Sequence, residues 1–147
     1  MRRDAILALV PHQGAMCLLD RVESWTADRI LCRAASHRAA DHPLRRGGLL
    51  PAVCGVEYAL QAMALHGALS GDSEGGARAS RPGYLASLRG LDLAVDRLDD
   101  IAGDLAIEAV ALAREARGFT YAFSIAEGGR TLLAGQATVI LPPEAGA

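Results

Sequence analysis

The stretch PAVCGVEYALQAMALHG, Pro51 to Gly67, decides how this chain is read. Proline suits the first turn of a helix, where its missing N–H costs nothing, and Gly67 is a stop signal. The spacing therefore predicts a helix from Pro51 to about Leu65. Apolar side chains occupy almost every face of it, so the helix is expected to be buried on all sides. One carboxylate, Glu57, interrupts the run among Val53, Cys54, Val56, Leu60 and Met63. Burial in such company disfavours the ionised form unless a partner compensates. Glu57 is then either a surface or ion-paired carboxylate, or an acid kept for proton transfer. Gln61 lies one turn further along the same face, where its amide can orient Glu57 or a neighbouring loop, or simply satisfy buried backbone.

Upstream, Asp4 can cap a short helix reaching Val10, CLLDRVESW reads as a strand, and RILCRAAS, Arg29 to Ser36, as a second. HRAADHPLRRGG is polar and rich in turn formers, a loop long enough to suggest a function. Downstream, SGDSEGGARASRPG has the composition of a surface loop. Four strand candidates follow: YLASLRGLDLAV, GDLAIEAVALAREA, GFTYAFSIAEG and RTLLAGQATVIL. Phe119, Tyr121, Phe123 and Ile125 alternate with smaller residues, and Gly128-Gly129 supplies a hairpin turn. One buried helix followed by antiparallel strands describes an α+β domain.

At 147 residues and 51% apolar, the chain fits a single domain, 1–147, whose core can fold without covalent staples. The net charge is −2 and every basic side chain is an arginine. No like-charge block argues for nucleic acid or an anionic membrane. MRRDAILALV imitates a signal peptide, but Pro11-His12 ends its short apolar run, so it is read as part of the mature fold. Three cysteines without metal-ligand spacing are expected to be reduced core residues of a cytoplasmic protein. No stretch approaches the roughly 18 apolar residues of a membrane span.

Two blocks carry a family resemblance. PHQGAMCLLDRV, Pro11 to Val22, resembles the PHRxPxLLxDRV segment of the hot-dog-fold dehydratases, which remove water from 3-hydroxyacyl chains on acyl carrier protein. PAVCGVEYALQ, Pro51 to Gln61, is similar to their PGxxxxEAxAQ, with the proline, the acid and the glutamine all in place. HPLRRGGLLP and YALQAMALHGAL look most like the divergent dehydratases of aryl-polyene and related pigment pathways. The resemblance implies a hot-dog fold: an antiparallel sheet wrapped around one long buried helix.

It also implies a site. Such a dehydration needs a base, an acid and a donor for the thioester oxyanion. The resemblance makes Glu57 the acid and a backbone N–H near Ala52 or Val53 the oxyanion donor, with Ala52 standing where the family has glycine. The family's GHFP block is absent. Counted back from Pro51, its histidine would fall one residue beyond His42, whereas the SHxxxxNPLR pattern of the pigment-pathway relatives puts it at His37. Both stay candidates, with His37 ahead. His12 and His66 are assigned to structure, His66 as a cation complementing the helix C-terminus. The small side chains of Ala59, Ala62 and Ala64 suggest a narrow slot for a straight acyl chain. No cofactor or metal is implied. The implied partners are acyl carrier protein and a second hot-dog subunit, identical or related, with the acid–base pair assembled across the interface. Arg45, Arg46, Arg78, Arg81 and Arg89 are candidates for docking the anionic carrier arm, or are plain surface arginines. Two alternatives remain open: an inactive partner subunit of a dehydratase heterodimer, and a thioesterase of the same fold, which would lack the PH…LLDRV block.

Overall fold

The computed structural model describes residues 1–9, 14–70 and 84–141. His12, Arg78 and Arg81 lie outside the described residues. The elements run α1 (Arg3–Leu9), β1 (Arg21–Thr26), β2 (Arg29–Ala34), α2 (Gly55–Ser70), β3 (Tyr84–Leu93), β4 (Leu105–Glu115), β5 (Gly118–Glu127) and β6 (Arg130–Ile140). All six strands form one antiparallel sheet in the order β1-β2-β4-β5-β6-β3. It curls around α2, as the order of elements led one to expect, and this is the hot-dog arrangement that the resemblance implied.

The alternation in β5 sets its orientation. Tyr121, Phe123 and Ile125 are buried, and the register places Phe123 opposite Ala109 and Ile125 opposite Ile107 on β4, so one sheet face carries the core. Gly128 and Gly129 have φ of +58° and +83°, the left-handed pair that a tight two-residue hairpin requires.

Several expectations need correction. The first strand begins at Arg21 rather than Cys17. Cys17, Leu18 and Leu19 are buried, but the Leu18 N–H donates to Gln61 Oε1 at 2.8 Å and its carbonyl accepts from Ser36 Oγ at 2.7 Å. Side chains thus take the bonds a neighbouring strand would supply. Asp4 falls inside α1, not at its cap. The third concerns α2, which is buried on the side the sheet covers and open on the other. Val53 is 49% exposed, and Glu57, Leu60 and Ala64 along the same face are half-buried. A single sheet wraps only part of a helix.

The start of α2 is a 3-10 turn, Ala52–Cys54, with Pro51 as its extended cap. At Gly55 a methyl would lie 2.7 Å from a Leu133 methyl, so the helix approaches β6 closely only because this position has no side chain. Gly67 does not end the helix, which continues to Ser70. His66, held from both sides by Thr26 and Tyr121, anchors the last turn against the roughly 1 kcal/mol penalty of an interior glycine. Ala59 and Ala62 are fully buried in the core, so of the three small residues only Ala64 lies on the open face.

Candidate active site

His37 sits in the 3-10 turn Ser36–Arg38 that follows β2, fully buried. Its Nε2 is 3.0 Å from the Ile101 carbonyl. A carbonyl only accepts, so Nε2 carries the proton and Nδ1 holds a lone pair. That Nδ1 has no hydrogen-bond partner and is the one such buried side-chain polar atom among the described residues. Burial lowers the pKa of His37, opposed chiefly by the Ile101 carbonyl and further by the Gly103 backbone. The ring is therefore a neutral imidazole with a free basic nitrogen, held by a backbone bond that fixes its tautomer.

His42 is built differently. It is 5% exposed, its Nδ1 accepts the Leu44 N–H at 3.0 Å and its Nε2 donates to the Tyr58 hydroxyl at 3.0 Å. Both nitrogens are in use, so His42 has no lone pair to offer a substrate. The chemistry of the two rings, rather than their spacing from Pro51, separates the candidates.

The start of α2 is tied to residues 96–101. The Leu98 N–H donates to the Leu50 carbonyl at 2.8 Å, and the Leu50 N–H donates to Asp99 Oδ1 at 2.8 Å. Arg97 also bonds Asp99, and these two contacts hold the Asp99 carboxyl far below the usual carboxylate range. The Ala52 N–H donates to the Asp96 carbonyl at 2.9 Å. Ala52 is thereby removed as an oxyanion donor, since its only N–H is spent. Val53 remains: among the described residues its N–H has no acceptor outside the 3-10 turn, at the positive end of the helix. The same connection supplies the Ile101 carbonyl, so residues 96–101 hold both the His37 ring and the first turn of the helix.

Glu57 is half-buried on the open face of α2, and its carboxylate has no hydrogen bond or ion pair among the described residues. It is not enclosed by apolar neighbours as its sequence context suggested, and within one chain it makes no bond to His37 or His42. Gln61 does not orient it either. Its Oε1 accepts the Leu18 N–H and its Nε2 donates to the Met16 carbonyl at 2.7 Å, fixing the segment before β1. His66 is structural but neutral: Nε2 donates to the Thr26 carbonyl at 2.8 Å, Nδ1 accepts from the Tyr121 hydroxyl, and burial lowers its pKa. A cation facing the helix dipole is therefore the wrong account of it.

Arg45 is consumed internally, donating to the carbonyls of Ala39, Gly48 and His37 at 2.8, 2.6 and 3.4 Å. Arg46 and Arg89 are exposed. Arg89 lines an open groove with Gly90, Phe123 and Gln136 that includes none of the candidate catalytic residues. Among the described residues no cluster of His, Cys, Asp or Glu could hold a metal ion, and no helix is long and apolar enough to cross a membrane. Sequence reasoning missed Tyr58 and Ser36, which join His42 to the turn bearing His37. The polar phenol in an otherwise apolar helix run was the available signal.

A sheet wrapped around one central helix defines a hot-dog fold. The solved structures agree. The dehydratase heterocomplex ApeI:P from Xenorhabdus doucetiae superposes with a TM-score of 0.76 at 20% identity, covering 95% of this chain and 91% of that one. AziG of S. sahachiroi gives 0.64 at 17%, covering 92% and 99%. A mutant of the thioesterase PA1618 from Pseudomonas aeruginosa gives 0.58 at 14%, covering 84% and 81%. At such identities the likeness is one of fold. Over residues 4–147 the chain matches the ApeP-like family, the ApeP dehydratases, and it belongs to that family. No curated protein matches it.

Proposed function

We propose that this chain dehydrates 3-hydroxyacyl groups carried on acyl carrier protein to trans-2-enoyl groups, as one subunit of a hot-dog dimer. The observation that carries the reading is the buried, unpartnered Nδ1 of His37. An orphaned buried acceptor costs about 1–3 kcal/mol and becomes useful when a substrate C–H is presented to it. In this reading Nδ1 takes the proton from C2 and Glu57 delivers one to the C3 hydroxyl. The C2–H and C3–O bonds break, the C2=C3 bond forms, and water leaves. The Val53 N–H receives the charge that develops on the thioester oxygen.

Glu57 needs a second subunit for this role. It is half-buried and unpaired in one chain, and a partner covering the open face of α2 would enclose it with the substrate. The edge strand β3, with Tyr84, Leu85 and Leu93 exposed, suits edge-to-edge pairing with that partner. We read 1–147 as one domain and place it in the cytoplasm, in keeping with free Cys17, Cys32 and Cys54. The substrate in this reading is a straight polyene-type acyl chain.

A second reading is favoured by the ApeI:P structure, which is a dehydratase heterocomplex. There the chain would be the weaker subunit of a heterodimer, lending Glu57 or a tunnel wall to a related dehydratase. Incubating the chain with 3-hydroxyacyl carrier protein, alone and with a related dehydratase subunit, and following loss of water by mass separates the two. Turnover by the chain alone that disappears in Glu57→Gln supports the first reading. Unchanged turnover in that variant refutes the role of Glu57.

A further inference from the structure

The hydrogen bonds joining His42, Tyr58 and Ser36 run in one direction only. The Leu44 N–H donates to His42 Nδ1 at 3.0 Å, so the ring proton is on Nε2. Nε2–H therefore donates to the Tyr58 hydroxyl at 3.0 Å. The Ser36 hydroxyl lies 2.7 Å from the Leu18 carbonyl, an atom that only accepts, so the serine proton goes there. That leaves the Tyr58 O–H to donate to Ser36 Oγ, 2.7 Å away. Every hydroxyl in the chain donates once and accepts once, and it ends on a carbonyl. Tyr58 is fully buried and His42 nearly so, so water is kept from the bond between them, while Ser36 is half-buried.

The members come from separate parts of the fold. His42 belongs to the loop between β2 and α2, Tyr58 to α2, and Leu18 to the segment that Gln61 fixes before β1. Ser36 is covalently joined to His37, and Tyr58 to Glu57. We propose that the His42–Tyr58–Ser36 chain is a positioning device that fixes the turn bearing His37 against the helix bearing Glu57. His42, Tyr58 and Ser36 are positioning residues, acting through His37 without touching substrate. The inference rests on the reading of His37 as the base and adds what sets its geometry. It also explains why two histidines occur in one short loop: one is free, and the other is spent holding it. Displacing a reacting group by about 1 Å costs on the order of a hundredfold in rate, which sets the scale of the effect.

The test combines a spectroscopic and a kinetic arm on the full-length protein in its active assembly. In 15N-histidine NMR, His37 and His42 should both appear as the Nε2–H tautomer. Tyr58→Phe removes a single oxygen. It should disperse the His37 signals, lower kcat by about ten- to a hundredfold and leave KM within about twofold, because binding groups are unaffected. Ser36→Ala should do the same, and Ser36→Thr, which keeps the hydroxyl, should restore most of the rate. A general loss of structure would not be rescued in this way. Wild-type signals and kcat in both Tyr58→Phe and Ser36→Ala overturn the proposal. So does an Nδ1–H tautomer at His42 in the wild type, a result that needs no variant to fold. Were the wild type itself unable to dehydrate, the reading of function would fail while the NMR arm still decided the positioning role.

Discussion

Lowering the pH from 7.5 to 5.5 should destabilise this protein steeply, because three of its histidines are buried as neutral rings. His37 and His66 are fully buried and His42 is 5% exposed. Burial is the leading cause of a lowered pKa at all three. The bonds agree: Nδ1 of His42 accepts an N–H and Nδ1 of His66 accepts an O–H, so protonating either puts a proton where one already points. In the unfolded chain each imidazole titrates near 6.5. Below that pH the unfolded state binds more protons than the folded state, so stability falls as pH falls. The stabilisation is complete above about 6.5 and is lost downward until the folded rings themselves protonate. A histidine that stays neutral throughout contributes at most about 1.4 kcal/mol per pH unit, which is the ceiling for each of the three, against a typical total of about 5–15 kcal/mol. Asp99, with its lowered pKa, adds a separate loss that begins only near pH 4 and below. Urea unfolding followed by circular dichroism at fixed protein concentration measures the slope. A stability that does not fall between pH 6.5 and 5.5 would mean that no histidine is held neutral, and the tautomer assignments would be wrong.

Three further outcomes follow from particular contacts. His37→Ala should reduce kcat by several hundredfold or more, on the scale of general acid–base catalysis. His42→Asn should cost about tenfold, as befits a positioning residue; equal rates in both variants under single-turnover conditions would argue against the division of roles. Gln61→Leu strands the buried Leu18 N–H at about 1–3 kcal/mol and also removes the donor to the part-buried Met16 carbonyl, so denaturant titration should show a loss of at least about 1–3 kcal/mol, and a loss under about 1 kcal/mol would contradict the bonding described. Ala62→Phe overfills a fully buried site and should destabilise by about 1–3 kcal/mol or more. Ala64→Phe, on the open face, should leave folding intact and shorten the acyl chains accepted in a mass-resolved competition; the reverse pattern would move the acyl path to the core side of α2.

The sequence by itself determined the elements and their class. Alternation in β5, the double glycine after it and the apolar run from Pro51 are local signals, because side-chain periodicity and backbone freedom belong to single segments. The two motif blocks likewise pointed to Glu57 and to a histidine in the loop before α2. The tertiary structure alone decided which histidine is free, since that depends on bonds from Leu44, Tyr58 and Ile101, the last 64 residues from His37. It also decided that Ala52 is spent on Asp96, that Gln61 serves Met16 and Leu18 rather than Glu57, and that Glu57 lies on a face the sheet does not cover. An apolar pattern around the whole helix announces that every face will be buried, but one chain's sheet can bury only its own side. The remaining face is left for another surface, and composition alone carries no information on which contacts close it.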